Sequence, residues 1–358
     1  MATGWPMKTT YANGDVYSAS DVNDITGTIN LLGSSVAYTA GKNKIINGDF
    51  GIWQRGTSFT TPSYAYTADR WTMDAATAFA TSITVSRQTF TPGTAPVSGY
   101  EGTYFYRLVY TKAASQTAQY VKQRIEDVRQ LAGQTATISF WAKCDAARSI
   151  GVSFDQNFGS GGSGTVSTSA GTASATTAWQ RFSYSVSIPS ISGKTIGTSS
   201  FLEVIFTLPN ASSTTDIWGV QLEQGSTATA FQTATGTIQG ELAACQRYFQ
   251  VICDGALDSA MAVGIGHFYS STQAEVPVRF PVQLRGTPSM TFSAVGDFRI
   301  TQGGSTYRTV TSLTSYNQTP LTINISPSAS TSTATAGAAT YFTANSTAAA
   351  KIYVSAEL

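Results

Sequence analysis

Thr135–Trp141 (TATISFW) alternates hydroxyl and apolar side chains, and the same two-residue period runs through Tyr104–Tyr110 (YFYRLVY), Arg181–Ile188 (RFSYSVSI) and Phe201–Leu208 (FLEVIFTL). A period of two is that of a strand with one face toward a core. From Asn47 to about Phe231 such runs are separated by Gly, Pro and Asn clusters, which predicts a two-sheet sandwich of jelly-roll type. Phe158–Thr177 (FGSGGSGTVSTSAGTASATT) is too small and polar to bury a face and reads as a long exposed loop or hairpin.

Working outward, Gly225–Gly240 (GSTATAFQTATGTIQG) reads as a linker. In the following Glu241–Gln250 (ELAACQRYFQ), Leu242, Cys245 and Phe249 recur at helical spacing. Strand patterns return at Met261–Tyr269, Ala274–Leu284, Ser289–Val295, Thr306–Leu313, Leu321–Ile325 and Ile352–Val354, with Pro281 and Pro288 at strand ends or edges. A second, smaller β-sandwich is expected there. No 20 to 50 residue repeat is present, which disfavours a β-helix or propeller. The expectation is an all-β chain with two jelly-roll-like sandwiches over residues 45–235 and 236–358, behind an N-terminal segment of residues 1–44.

That segment carries a helix signal, with Ser18 as a cap and Asp21 three residues on. Val22, Ile25, Ile29, Leu32 and Val36 follow at spacings of 3, 4, 3 and 4, an a/d seam weakened by Gly27 and Gly33. A helix this short is marginal alone. It forms against copies of itself, with β-branched a positions and Ile25 at d leaning toward a homotrimer, or else against a docking protein or its own domain.

Composition narrows the function classes. Of 358 residues, 42% are hydrophobic and only 11% charged, well below the ~25% usual in soluble domains, so the surface is one of hydroxyls and amides. A formal net charge of +1 lacks the basic excess that a phosphate backbone demands, so nucleic acid is not an expected partner. His267 is the single histidine, in a strand-like GIGHFY, and no HExxH or CxxC spacing exists, which removes triad and transition-metal chemistry. Glu126 and Asp127 are adjacent and would point to opposite strand faces, a poor acid and base pair. Three cysteines, Cys144, Cys245 and Cys253, make no disulfide framework and are expected to be reduced. The start lacks a signal-peptide pattern, and no apolar run reaches the roughly 20 residues that span a bilayer, so synthesis in a cytoplasm without membrane insertion is expected.

Asn43–Gly56 (NKIINGDFGIWQRG), Tyr66–Trp71 (YTADRW), Gln134–Lys143 (QTATISFWAK), Trp179–Phe182 (WQRF) and Ile217–Phe231 (IWGVQLEQGSTATAF) together resemble structural proteins of tailed bacteriophages, tail fibres and receptor-binding proteins above all. The same motifs are similar to the jelly rolls of carbohydrate-binding modules, in which an NGDF-type first strand pairs with a late GVQLE-type strand. Glu241–Gln250 and Val278–Pro288 (VRFPVQLRGTP) extend the phage resemblance, and Ala12–Asn23 (ANGDVYSASDVN) is similar to virion-attachment segments. The resemblance implies a non-enzymatic virion protein that uses its first residues to meet other virion proteins and binds a host-surface glycan. A capsid head fibre or decoration protein, and a polysaccharide depolymerase, are its alternatives.

Glycan stacking needs exposed aromatic faces. The candidates are Tyr64, Tyr66, Trp71, Tyr100, Tyr104, Tyr106 and Phe158, although for any single one a half-buried core position is the commoner role of a strand aromatic. Trp53 can serve either role, and Trp141 and Trp218 are assigned to the core. Asp49 is a candidate calcium ligand by the resemblance, or a turn-forming Asx residue. No other cofactor is expected.

Overall fold

The computed structural model describes residues 41–358, apart from residues 63, 76–81, 98–99, 116–117, 303–305 and 331–333. The seam of Val22, Ile25, Ile29, Leu32 and Val36, with the attachment and trimer expectations built on it, lies outside the described residues. The all-β reading holds. Twelve strands form two facing sheets: β1 (Ser58–Thr60), β2 (Ala65–Tyr66), β3 (Trp71–Ala75), β4 (Ser82–Thr89), β5 (Tyr104–Thr111), β6 (Gln119–Glu126), β7 (Thr135–Cys144), β8 (Arg148–Asn157), β9 (Val166–Ala175), β10 (Gln180–Ser187), β11 (Phe201–Thr207) and β12 (Ser213–Gln224). Sheet I has the order β1-β4-β5-β12-β7-β10 and sheet II the order β2-β3-β6-β11-β8-β9. Alternate residues of both sheets, among them Leu108, Ile138, Phe140, Val152, Phe154, Val204, Phe206 and Leu222, meet in one apolar core. The small, polar stretch after Phe158 takes the hairpin form, with β9 antiparallel to β8 at the edge of sheet II.

The chain enters the sandwich through a corner rather than a strand. Asn43 and Lys44 bond across to β12, with the Lys44 amide on the Leu222 carbonyl (2.8 Å) and the Leu222 amide on Asn43 Oδ1 (3.0 Å). The Val220 amide then reaches the Gly48 carbonyl at 2.9 Å. A Cβ on Gly48 would lie 2.1 Å from the Val220 carbonyl oxygen, so only glycine allows this approach. Asn47, fully buried and at φ 57°, turns the corner. Its Nδ2 donates to the carbonyls of Ile52 (2.9 Å) and Asp69 (3.0 Å), and its Oδ1 accepts from the Ile52 amide at 2.9 Å.

Beyond β12, helix α1 (Ile238–Gln246) is capped by Thr237, whose hydroxyl accepts from the Gly240 amide. The next strands are β13 (Phe249–Asp254), β14 (Ala262–Phe268), β15 (Ala274–Arg279), β16 (Ser289–Phe292), β17 (Phe298–Gln302), β18 (Thr306–Tyr316), β19 (Thr322–Ala329), β20 (Ala339–Ala344) and β21 (Lys351–Ser355). Six of them close into a barrel, β14-β15-β19-β18-β17-β20, beside a three-stranded sheet β13-β21-β16. Closure leaves those six strands no free edge, a refinement of the sandwich expected here. Among the described residues no helix is long and apolar enough to cross a membrane.

The two lobes meet through an ionic and aromatic seam. Arg70 is buried with its guanidinium 3.4 Å from the Tyr248 ring centroid and its Nη1 on Glu357. Arg55 bridges Asp69 (3.2 Å) and Glu357 (3.0 Å) while lying 3.5 Å over the Phe249 ring. Glu126 accepts from Arg247 (3.1 Å) and from the Tyr248 hydroxyl (3.0 Å).

Two outcomes test this architecture. Asn47→Ala strands the Asp69 carbonyl and the Ile52 amide in the core, while the Ile52 carbonyl keeps the Asp69 amide; at about 1–3 kcal/mol each, urea unfolding should show a loss of at least ~2 kcal/mol. Unchanged stability would mean that the corner is held by other contacts. Glu357→Ala removes the carboxylate from buried Arg70 and should cost roughly 3–5 kcal/mol, as uncompensated buried charges do. A second unfolding transition in that variant would show that the seam couples the lobes.

Candidate functional site

The outer face of sheet I is roofed in part, while Arg107, Val109, Lys143, Ser183 and Ser185 stay at least partly open beyond the roof. Phe90, Phe105, Trp141, Trp218 and Phe231 form a second buried cluster, with Tyr100 and Trp179 packed against it. Trp218 lies 5.3 Å from Trp141 and 5.0 Å from Phe231, ring to ring. Phe90, Ala95, Val97, Tyr100 and the chain around Phe231 therefore act as a roof. Gly219, at φ 64°, lets β12 kink where its register shifts between Trp218 and Gln221.

Most aromatic residues singled out from the sequence are consumed by these cores. Trp71 is fully buried between Phe50 (5.1 Å) and Phe206 (6.1 Å), its Nε1 donating to the Asn47 carbonyl. Tyr106 is equally buried, against Phe50, with its hydroxyl 3.0 Å from that of Thr67. Phe158 is 1% exposed. These three correct the stacking expectation, because strand alternation turns the first two inward and the loop closes over the third. Tyr100 is half-buried on Trp218, Tyr104 half-buried 4.1 Å from the Arg87 guanidinium, and Tyr66 lies in the lobe seam, its hydroxyl donating to the Leu358 carbonyl. Burial first, and Glu357 second, push the Tyr66 phenol up to about 12. Only Tyr64 of the seven is broadly exposed, at 67%. Asp49 accepts from the Gly51 amide and the Tyr100 hydroxyl, and burial raises its carboxyl above the usual range. Among the described residues no three metal-ligating side chains are gathered. His267 stands on β14, 4.0 Å from Glu275, and the three cysteines are free and buried.

Sheet II presents the opposite situation. Its outward residues form rows set by register: Asp74, Tyr120, Thr207 and Thr172; Thr72, Lys122, Ile205, Ser153 and Ser169; Arg124, Glu203, Asp155 and Ser167. Lys122 Nζ lies 2.6 Å from Asp74 and 3.7 Å from Glu203, and Arg124 Nε lies 2.9 Å from Glu203. Burial alone would lower the Lys122 ammonium, but Asp74 and Glu203 outweigh it and leave it raised. Tyr120 is backed by Lys122 (5.0 Å) and Phe201 by Arg124 (4.6 Å). A positioned charge ladder flanked by hydroxyls, a carboxylate and two aromatic rings can hydrogen-bond a polyhydroxylated ligand at several points. None of these residues belonged to the sequence-derived set. The signal was present in Gln119–Glu126 (QYVKQRIE), where Val121 and Ile125 alternate with Tyr120, Lys122 and Arg124.

No family model and no curated protein matches the chain. Among solved structures, the enzymatically active domain of tailspike protein 4 of bacteriophage CBA120 is 14% identical, with a TM-score of 0.32, over 51% of this chain and 22% of that one. The CBM22-1 xylan-binding domain of Paenibacillus barcinonensis Xyn10C is 13% identical, with a TM-score of 0.32, over 53% of this chain and 99% of that one. A CBM4 structure is 21% identical, with a TM-score of 0.29, over 50% of this chain and 98% of that one. Likeness at this level leaves ligand and role to the geometry of the chain itself.

Proposed function

We propose that this protein is a virion structural protein of a tailed bacteriophage, a tail fibre or receptor-binding protein, that holds a host-surface glycan on the outer face of sheet II. The observation that carries the ligand is the asymmetry of the sandwich: the outer face of sheet I is roofed in part by an aromatic cluster, whereas that of sheet II offers Tyr120, Lys122, Asp155 and a field of serine and threonine hydroxyls. The phage setting comes from the motif order of the sequence. The role is binding without chemistry, because Asp74 and Glu203 are engaged by Lys122 and Arg124 rather than left as an acid and base pair. A shallow site of this type, with Kd near the mM range, is worth about −4.1 kcal/mol, and repetition in a homotrimer raises avidity by roughly 10² to 10⁴.

The test is binding of the full chain to an array of bacterial surface polysaccharides. Binding should fall at least about tenfold, the equivalent of ~1.4 kcal/mol, in Tyr120→Ala and in Lys122→Ala, and should persist in Leu257→Ser on the other lobe. Failure to bind any polysaccharide, or retention by both open-face variants, would overturn the glycan reading. Immunogold labelling of the particle's tail supports the receptor-binding role, and labelling of the head replaces it with a head fibre or decoration role.

A further inference from the structure

A second, separate site lies on the wall of the C-terminal barrel. Register places Tyr307 of β18 opposite Thr301 of β17, Thr301 opposite Tyr341 of β20, and Tyr341 opposite Ile265 of β14. Their neighbours Ile300 and Phe342 are fully buried inside the barrel, so alternation sends this row outward. Tyr307, Tyr341 and Ile265 are 59%, 44% and 67% exposed, a cost in apolar exposure that the fold does not relieve. With strands ~4.8 Å apart, the two tyrosine backbones stand about 10 Å apart across the short Thr301. The space between them is an open pocket of about 530 Å³.

Arg299 supplies the charge. Its Nε donates to Thr343 Oγ1 (3.1 Å), its Nη1 to Ser346 Oγ (3.2 Å), and its guanidinium lies 4.4 Å from the Tyr307 ring centroid. Among the described residues no carboxylate pairs with it, and Nη2 keeps no partner. Two hydroxyls and a ring thus hold a cation in place against a pocket rather than neutralise it.

We propose that this pocket binds a carboxylated saccharide, a hexuronic or sialic acid residue. The tyrosine faces suit the apolar C–H face of a pyranose, and the guanidinium suits one carboxylate bidentately. One fixed cation in a chain of net charge +1 matches a single carboxylate and not a polyphosphate. This site does not depend on sheet II, and it can stand or fall alone.

The experiment is saturation-transfer NMR with titration calorimetry on the full chain, using matched probes: 3′-sialyllactose against lactose, and trigalacturonate against galactotriose. The acidic member of at least one pair should bind in preference to its neutral partner. Arg299→Gln should remove at least about tenfold of that preference, Tyr341→Ala should abolish it, and Tyr341→Phe, which keeps the ring, should retain it. Val109→Ser, exposed on sheet I and outside both sites, should leave it unchanged. Absence of binding by both acidic probes, preference retained in Arg299→Gln, or loss in Val109→Ser would each overturn the proposal.

Discussion

A buried asparagine in a left-handed turn is the constraint on which the sandwich depends. Asn47 spends its whole side-chain amide on backbone groups of Ile52 and Asp69, so it fixes the approach to β3. Its own amide donates to Glu241 at 2.8 Å, and Glu241 also accepts from the Thr235 amide and hydroxyl. One residue thereby ties the entry of the chain, the edge of sheet II and the helix that leads to the second lobe. Burial raises the Glu241 carboxyl above its usual range, a cost offset by these three donors. Gly48 follows because the corner must touch β12, and a side chain there would collide with the Val220 carbonyl.

The corner also explains how the aromatic residues are divided. Entry against β12 brings Phe50, Trp53 and Trp71 into the space between the sheets, where they surround Tyr106. Those rings fill one end of the core. The outer face of sheet I then carries Phe105, Trp141 and Trp218, which cannot remain in water together and are covered by the β4–β5 connection and by Phe231. The outer face of sheet II carries a smaller apolar load, Phe201 and Ile205, and between them its ion pairs and the serine and threonine hydroxyls toward β9 stay partly open. The distribution of apolar side chains between the two outer faces thus decides which face can meet a ligand.

Strand alternation made the sandwich legible from the residues alone. Tyr104–Tyr110, Thr135–Trp141, Arg181–Ile188 and Phe201–Leu208 coincide closely with β5, β7, β10 and β11. The pairing of the NGDF stretch with GVQLE, implied by resemblance, is present in the bonds between Gly48 and Val220 and between Lys44 and Leu222. The site was far less legible. An aromatic residue such as Trp71 or Phe158 has the same composition signal whether it is stacked in a core or offered to solvent, and which it is depends on the long-range register of sheet II. Tyr120 stands on a strand where charge alternates with Val121 and Ile125, the mark of an open polar face. Barrel closure was equally hidden, since β14 and β20 pair across more than seventy residues.

The lobe seam sets the direction in which a ligand can lie on sheet II. Arg124 gives its Nη1 to the Leu358 carbonyl, and Glu126 is held by Arg247 and Tyr248, so the end of the face formed by the last residues of β6 is occupied by the second lobe. Among the described residues the second lobe makes no such contact at the Tyr120 end of the same strand, and there Asp74 and Thr207 flank the ring in register. On the proposed glycan reading, the surface open to a chain-like ligand runs across the strands from β3 toward β9 along the Tyr120 and Lys122 rows, where Ser153, Ser169 and Thr172 continue the hydroxyls to the sheet edge. Movement of the second lobe would uncover the Arg124 row, and the burial of Arg70 against Tyr248 and Glu357 opposes that movement.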